Sequence, residues 1–315
     1  MNLKRYVDQG IERTLKMGIA FIGLLPLGLL HLVGKWLASF AFFILRKRRG
    51  IIIENLKLAF GSSLDKKEMK RLYRGIVSNI GKGLMETLKL PSLPDRFFDD
   101  INVTGLDHLR DAANQGKGVI AVSAHLGNFA LIGRKLSLLG YRFNDINRDP
   151  HNRWGAKMFE WVTKCEGVNY IPDKPKNLCI KKSIECLKNG EILFIPNDLS
   201  AVSGGIYVDF FGYEVPTFKG PVTLSMRSGA PILPLFIVWD DDGRQRMIIE
   251  PPIPLIREGS IEEDIHKNIS HITKIIEGYV RRYPTQWWWV HRRWKRRREK
   301  GSHQMDQKQI LRNAS

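Results

Sequence analysis

The spacing of apolar residues changes twice along the chain, and each change predicts a different kind of structure. Residues 17–34 are almost continuously apolar, with Pro26 inside the run, and the apolar character resumes over 36–45. Residues 51–90 then carry apolar positions at helical spacing. From residue 101 onward, short apolar runs alternate with helical stretches. This order predicts an apolar N-terminal segment, a helical region and an α/β domain.

The α/β prediction rests on four short runs of mostly apolar residues. They alternate with stretches long enough for helices, as in a sheet that packs helices on its faces. The strand candidates are 118–123, 192–196, 231–238 and 246–250, and the helical candidates are 127–139, 153–165, 178–188 and 261–280. We therefore expect a mixed sheet flanked by helices.

The boundaries between these patterns divide the chain into four parts. We expect a membrane anchor with basic flanks over 1–49, a helical collar over 50–100, an α/β domain with a basic aromatic C-terminal segment over 101–298, and a polar tail over 299–315. The anchor is expected to stay uncleaved, because the apolar run continues to Leu45 with no cleavage site and polar start before it. The anchor has basic residues on both sides, so the distribution of charge does not orient it in the membrane. Whether the anchor spans the bilayer or lies in one leaflet stays open.

Composition adds a strong charge bias. The 315 residues carry a formal net charge of +18, which predicts an anionic partner: nucleic acid, anionic lipid or an acidic protein. The three cysteines are odd in number and widely spaced, which argues against a zinc site. No nucleotide-binding loop or clustered metal-ligand set occurs, so we expect neither a cofactor nor a metal.

Residues 286–298 interleave tryptophan with arginine and lysine. Such a mixture stacks on nucleobases in some proteins and lies at lipid headgroup depth in others. Because the same chain carries an apolar anchor, we interpret the segment as a membrane-interface element that binds anionic lipid. We expect no nucleic acid partner.

The candidate chemistry begins with His125, which follows the strand candidate 118–123 and precedes a helical pattern. The carboxyl end of a strand is where α/β proteins usually bind ligands, and an imidazole there can take a proton from a hydroxyl nucleophile. A buried histidine bonded to the backbone fits the same pattern. Asp198 follows the candidate strand 192–196 similarly, and it either orients that imidazole or caps a turn.

A third segment, 204–212, is rich in glycine and is followed by Thr217 and Gly220. Glycines in such a run allow close approach of the backbone to a ligand. A plain hairpin with aromatic core residues explains the composition equally well. The two interpretations stay open on the residues alone.

Four segments in this order resemble one protein family. They are Glu54-Asn-Leu, His125-Leu-Gly-Asn-Phe, Asn197-Asp198 with the following Gly205-Ile-Tyr-Val-Asp-Phe-Phe-Gly, and Gln286-Trp-Trp-Trp-Val-His-Arg-Arg-Trp-Lys. They look like the lipid A biosynthesis lauroyl/myristoyl acyltransferases, within the wider lysophospholipid acyltransferase superfamily. The resemblance runs from about Arg48 to Arg296.

The resemblance implies a bacterial inner-membrane O-acyltransferase whose active site faces the cytoplasm. Such an enzyme moves a fatty acyl chain from acyl carrier protein to a hydroxyl of a lipid A precursor or related glycolipid. By this resemblance His125 is the general base, and we expect Asp198, from its place after a neighbouring strand, to be its catalytic partner. The substrate-binding residues that we expect are Asn128, Arg148, Gly205, Thr217 and Lys219.

One position departs from the family pattern. Five residues after the histidine the family commonly has Glu or Asp, whereas this chain has Ala130. Either another carboxylate orients His125, with Asp198 as the first candidate, or the chain is a catalytically silent protein that binds anionic lipid. An acyltransferase for a lysophospholipid or another lipid acceptor is a further alternative, because acceptor choice depends on the shape of the pocket.

Overall fold

The computed structural model of the protein describes residues 17–147 and 167–298. After a helical segment over 17–24, the helices are α1 (Leu27–Ile44), α2 (Arg46–Phe60), α3 (Lys66–Lys89), α4 (Asp95–Asp99), α5 (Leu106–Ala113), α6 (Ala130–Leu138), α7 (Lys176–Lys188), α8 (Gly220–Ser228) and α9 (Ile261–Arg282). The strands are β1 (Asn102–Thr104), β2 (Val119–Ser123), β3 (Phe143–Asn147), β4 (Asn169–Pro172), β5 (Ile192–Pro196), β6 (Ile206–Phe210), β7 (Tyr213–Thr217), β8 (Ile232–Trp239) and β9 (Gln245–Ile249).

Seven strands form one mixed sheet in the order β1-β9-β8-β2-β5-β3-β4. All neighbours are parallel except β8 and β9, which are antiparallel, while β6 and β7 form a separate hairpin. Since β2, β5 and β3 are parallel neighbours, their carboxyl ends meet at one edge of the sheet. That edge is the place where polar side chains from different strands come together.

The sheet is buried on both faces, which explains why its strands are apolar runs rather than alternating ones. Side chains of β2 alternate between two cores: Ile120 and Val122 pack on one side, Val119 and Ala121 on the other. All five residues of β2 and all eight of β8 are buried. A sheet covered in this way is a rigid support for the residues at its edge.

The predicted α/β architecture with a mixed sheet and flanking helices is confirmed. The four strand candidates lie within one residue of β2, β5, β8 and β9, and the closing helix is α9. The candidate helix 153–165, the polar tail over 299–315 and the first sixteen residues of the anchor lie outside the described residues.

The long helices α3 and α9 begin at capping boxes. Asp65 accepts a hydrogen bond from the backbone N–H of Glu68, whose side chain accepts one from the Asp65 N–H, and Ser260 does the same with Glu263. Each box satisfies backbone donors that a helix start leaves unpaired. These local signals set where the two helices begin.

Two glycines allow close packing between α1 and α3. A Cβ atom on Gly34 would collide with the Gly81 carbonyl oxygen, and one on Gly81 would collide with the Gly34 carbonyl oxygen. The contact is extended where Lys89 donates to the Gly23 and Leu25 carbonyl oxygens at 2.6 and 2.8 Å. The apolar N-terminal helix is therefore packed onto the helical region, with its backbone close to that of α3.

We expect Gly34→Leu to lower the free energy of unfolding by about 1–3 kcal/mol, because the added side chain forces the helices apart. Gly28→Leu is the matched control on the same helix, since a Cβ there meets no atom within 4 Å. Thermal unfolding in detergent should show a lower Tm for Gly34→Leu alone. Equal Tm values for both variants would contradict the close crossing.

Helix α1 is the one helix among the described residues that is long and apolar enough to cross a membrane. Its 18 residues have a mean hydropathy of 1.7 and only 22% of them are buried. At a rise of about 1.5 Å per residue it is about 27 Å long, close to the thickness of a bilayer core. Pro26 ends the preceding helical segment, so the candidate span begins at Leu27 and not at residue 17.

Candidate active site

The register of two strands brings His125 to Asp198. Ser123, the last residue of β2, pairs with Pro196, the last residue of the parallel strand β5. His125 and Asp198 each lie two residues beyond these partners. Equal offsets from a parallel register place the two side chains side by side, and His125 Nδ1 lies 2.8 Å from Asp198 Oδ1.

The Asp198 carboxylate accepts three hydrogen bonds while being 1% exposed. Besides the imidazole, the backbone N–H of His125 donates to Oδ2 at 2.9 Å, and the indole N–H of Trp287 donates to the same oxygen at 2.8 Å. An ionised Asp198 requires a donor at Nδ1, so the neutral imidazole carries its lone pair on Nε2. The arrangement orients the ring and sets its tautomer.

Both members of the pair have shifted pKa values. Burial by itself lowers the pKa of His125, but the charge and hydrogen bond of Asp198, helped by the charge of Asp145, raise it above its ordinary value. Burial acts to raise the pKa of Asp198, and the His125 contacts together with the Trp287 hydrogen bond hold it below its ordinary range. The buried carboxylate therefore favours a protonated His125.

The turn after His125 depends on Gly127. Its φ is +59°, and a Cβ would collide with the Ile237 carbonyl oxygen, so only glycine fits there. The Gly127 N–H donates to the Gln286 carbonyl oxygen at 3.0 Å, and α6 begins only at Ala130. The expected helix start at residue 127 was wrong, because the chain spends three residues turning against β8 before it becomes helical.

His125 opens onto an apolar cavity of about 460 Å³. This volume lies in the range of small-molecule binding sites. One wall is the face of α3 that carries Ile76, Ile80 and Leu84 at helical spacing. The wall continues with further apolar side chains: Phe143 and Phe194 of the sheet, Phe129 just before α6 and Val168 just before β4. Such a cavity suits a hydrocarbon chain beside the imidazole.

Asp145 on β3 lines the same cavity, and the sequence analysis missed it. Its Oδ2 accepts a hydrogen bond from Asn147 at 3.3 Å, whereas its buried Oδ1 has no hydrogen-bond partner among the described residues. Burial raises the pKa of Asp145 to about 6, against the opposing effects of the His125 charge and the Asn147 hydrogen bond. The polar run Asn144-Asp145 inside a strand was the available signal.

Ala130 lies at the first position of α6 and also lines the cavity. A carboxylate at this position would enter a space that already contains Asp145 and lies beside the paired His125. The geometry thus provides two acidic side chains near the imidazole, neither of them at position 130.

Asn128 also lines the cavity, and a buried carboxylate holds it. Its side-chain nitrogen donates to Glu86 on α3 at 2.9 Å, and Gln245 donates to the same Glu86 oxygen at 2.8 Å. His31 on α1 lies 2.8 Å from the other oxygen of Glu86. The sequence pattern did not indicate Glu86. The Glu86 carboxylate nevertheless connects α1 with the turn that carries His125. The role of Asn128 in binding substrate stays a prediction.

Three of the remaining predicted substrate-binding residues, Gly205, Thr217 and Lys219, lie apart from this cavity. Thr217 is fully buried in the hairpin, where its hydroxyl accepts a hydrogen bond from Arg293 at 2.6 Å, and Gly205 lies against the Thr217 backbone. Lys219 precedes α8 and does not line the cavity. Arg148 is outside the described residues. Substrate binding by these four residues stays a prediction. The glycine-rich segment 204–212 contributes to the hairpin β6–β7.

The expectation that the C-terminal tryptophans lie at lipid headgroup depth was wrong for three of them. Trp287, Trp289 and Trp294 are at most 1% exposed, while Trp288 is 41% exposed. The indoles pack on one another and on the hairpin, and Trp287 holds Asp198. This segment is therefore part of the core behind the histidine, with few of its aromatic rings at the surface.

Arg293 in the same segment is likewise structural. It is fully buried and donates to the Leu199 and Pro216 carbonyl oxygens, both at 2.8 Å. Burial lowers the pKa of Arg293 to about 10, so the guanidinium stays charged at neutral pH. It connects the loop that carries Asp198 to the hairpin.

Comparison with known proteins agrees with the resemblance seen in the motifs. A family model described as bacterial lipid A biosynthesis acyltransferase matches residues 11–296. The lipid A biosynthesis palmitoleoyltransferase of Escherichia coli is 30% identical over 280 residues, 87% of each chain. The lipid A biosynthesis lauroyltransferase of the same organism is 27% identical over 287 residues, covering 87% of this chain and 88% of the relative.

Among solved structures, the 1-acyl-sn-glycerophosphate acyltransferase of Thermotoga maritima matches with a TM-score of 0.37 and 17% identity. The match covers 82% of this chain and 99% of that one.

Proposed function

Because the chain belongs to the bacterial lipid A biosynthesis acyltransferase family, we propose that it moves a fatty acyl chain from acyl carrier protein to a hydroxyl of a lipid A precursor or related glycolipid. The coarser part of this statement, acyl transfer to a lipid acceptor, follows from the family itself. The observation that carries the proposal is that the oriented His125 lines an apolar cavity of about 460 Å³.

In the proposed reaction, His125 Nε2 takes the proton of the acceptor hydroxyl as its oxygen attacks the thioester carbonyl carbon. The carbon–sulfur bond of the tetrahedral intermediate then breaks, and the imidazolium returns the proton to the leaving thiolate. Asp198 stabilises the imidazolium and keeps the ring oriented, since it bonds Nδ1 at 2.8 Å. The acyl chain lies along the apolar wall formed by α3.

Asp145 contributes a second negative charge in this proposal. Its carboxyl group raises the pKa of His125, after Asp198 and against the effect of burial. It also presents an oxygen, Oδ1, that no described residue binds.

We place the enzyme at the bacterial inner membrane with its active site on the cytoplasmic face. Support comes from α1, whose outward side exposes apolar residues such as Leu32, Trp36 and Phe43 by 65%, 69% and 70%. We retain the division into an anchor over 1–49, a helical collar over 50–100 and the α/β domain over 101–298 as part of this proposal. An acidic carrier protein as donor fits a chain with a net charge of +18.

The test is transfer of a radiolabelled acyl group by the purified full chain in detergent. Donors are acyl carrier protein thioester and coenzyme A thioester, and acceptors are a lipid A precursor and a lysophospholipid. The proposal expects label in the lipid A precursor with the carrier protein donor. Preferred labelling of the lysophospholipid would support the alternative acceptor, and no transfer with any pair would favour a silent lipid-binding protein.

The departure at position 130 gives a separate prediction. We expect Ala130→Glu to leave the rate nearly unchanged or to lower it, because the added carboxylate crowds a cavity that already contains Asp145 and an imidazole partnered by Asp198. Ala130→Gln, with the same size and no charge, separates crowding from charge repulsion. The initial rate of acyl transfer is measured for both variants. Activity that appears only in Ala130→Glu would mean that the unaltered chain is inactive.

A further inference from the structure

A second concavity, of about 300 Å³, lies away from the apolar cavity and is lined by cationic side chains. Arg48, at the start of α2, meets Arg292, Lys295 and Arg296 of the C-terminal segment there. We call this site the basic pocket. The described residues that line it include no acidic side chain, and its other members include Ser200 and Val202.

The cations of the basic pocket are not used to hold the fold. In the part of the chain that the structure describes, none of the four forms an ion pair, and Arg296 makes only a long hydrogen bond to the Ala201 carbonyl oxygen at 3.5 Å. Their neighbour Arg293, by contrast, is buried and bonded to two carbonyl oxygens. Exposed like charges in one concavity repel each other unless an anion neutralises them. Arginine also binds phosphate oxygens in a bidentate way.

Ser200 adds a neutral donor to the basic pocket. Its Oγ is buried and has no hydrogen-bond partner among the described residues, although a buried hydroxyl is normally paired. Its backbone N–H is not available for a ligand, because it donates to His291 Nε2 at 3.2 Å. Ser200 follows Asp198 by two residues, so the basic pocket lies behind the loop that carries the partner of His125.

The position of the basic pocket indicates where its ligand comes from. Arg48 lies four residues after Ile44, the last residue of the candidate membrane helix α1. Basic residues directly beside a membrane helix lie at the depth of lipid headgroups. Val202, which is 62% exposed, supplies an apolar surface beside the cations. This combination fits an amphipathic ligand better than a free ion.

We propose that the basic pocket binds the phosphate group of an anionic membrane lipid. The inference does not depend on acyl transfer, since the pocket and the apolar cavity share no lining residue. The guanidinium groups of Arg48 and Arg292 hold the phosphate oxygens, Lys295 and Arg296 supply further positive charge, and the Ser200 hydroxyl donates to the same group. The site therefore joins the membrane end of α2 to the C-terminal segment through a lipid.

The experiment is calorimetric titration of the full chain, in a neutral detergent, with short-chain phosphatidic acid. Arg292→Gln combined with Lys295→Gln is expected to weaken binding by about twenty-five-fold, since each cation near an anionic headgroup contributes about a fivefold factor. The control is Arg257→Gln combined with Lys274→Gln, which removes the same charge from exposed positions outside the pocket. It should weaken binding by less than about threefold.

Arg48→Gln and Ser200→Ala are each expected to weaken binding of phosphatidic acid, because α2 and the loop that carries Ser200 share one ligand. Inorganic phosphate lacks the acyl chains, and octanoate lacks the phosphate. Each should bind much more weakly than phosphatidic acid. The His125→Ala chain should bind like the unaltered chain, which separates this proposal from acyl transfer.

Three results would overturn the proposal. Equal losses in the site and control variants would mean that the attraction is nonspecific. Inorganic phosphate binding as tightly as the lipid would assign the pocket to a free ion. Loss of acyl carrier protein binding in the site variants, with lipid binding intact, would make the pocket a docking site for the acidic donor.

Discussion

Replacing His125 with alanine is expected to lower the rate of acyl transfer by about a hundredfold or more, since a hydroxyl is a poor nucleophile at neutral pH without a base. The effect should appear in kcat with little change in the KM for the acyl donor, because the apolar wall of α3 is untouched. The loss is measured from initial rates of transfer of a radiolabelled acyl group from acyl carrier protein.

His271→Ala is the matched control, because His271 is exposed on α9 away from the cavity. It should keep the rate of the unaltered chain. Circular dichroism and Tm should be similar for both variants. A folded His125→Ala chain that transfers acyl groups at the original rate would overturn the catalytic assignment.

Replacing Asp198 with asparagine is expected to have the second largest effect, also on the order of a hundredfold or more. An amide is neutral and cannot stabilise the imidazolium, and its nitrogen can turn toward Nδ1 and favour the wrong tautomer. The carboxylate also accepts from Trp287 and from the His125 backbone N–H. Asparagine keeps the size of the side chain, so the loss reports on charge and tautomer and not on packing.

The pH profile supplies a second readout for Asp198→Asn. Burial lowers the pKa of His125, and Asp198, helped by the charge of Asp145, more than reverses this. Removing the carboxylate therefore lowers the pKa, and the neutral imidazole that acts as base persists to lower pH. The acidic limb of the kcat/KM profile should move to lower pH in Asp198→Asn, while Asp111→Asn, at an exposed position, should leave it in place.

The double variant His125→Ala with Asp198→Asn tests whether the pair acts as a unit. If Asp198 works through the imidazole, the double variant should be no slower than His125→Ala alone. Losses that multiply would show that Asp198 acts independently of His125. That outcome would contradict the proposed positioning role.

Much of the fold follows from local pattern. The strands β2 and β5 were predicted within one residue because a buried parallel strand is a short apolar run bounded by polar residues. His125 and Asp198 could be singled out for the same reason, since each lies two residues after the last residue of its strand. Their equal offsets became a contact because the strands are neighbours in register.

Asp145 and Glu86 could not be predicted in this way. Asp145 reaches the cavity because β3 lies next to β5, and the order of strands in a sheet is a tertiary property that no local pattern encodes. Glu86 lies on an amphipathic helix, where a glutamate normally faces water. It is buried here because Asn128, Gln245 and His31 arrive from three other elements.

The sequence by itself determined the α/β class, the apolar N-terminal helix, the positions of His125 and Asp198 at strand ends, and the family. Only the tertiary structure decided how the C-terminal tryptophans and arginines are used. The physical reason is that indole and guanidinium groups suit both a membrane surface and a polar-bonded core. Trp287 and Arg293 are buried because Asp198 and the hairpin carbonyl oxygens accept their hydrogen bonds, whereas Arg292 finds no such acceptor among the described residues and stays at the surface.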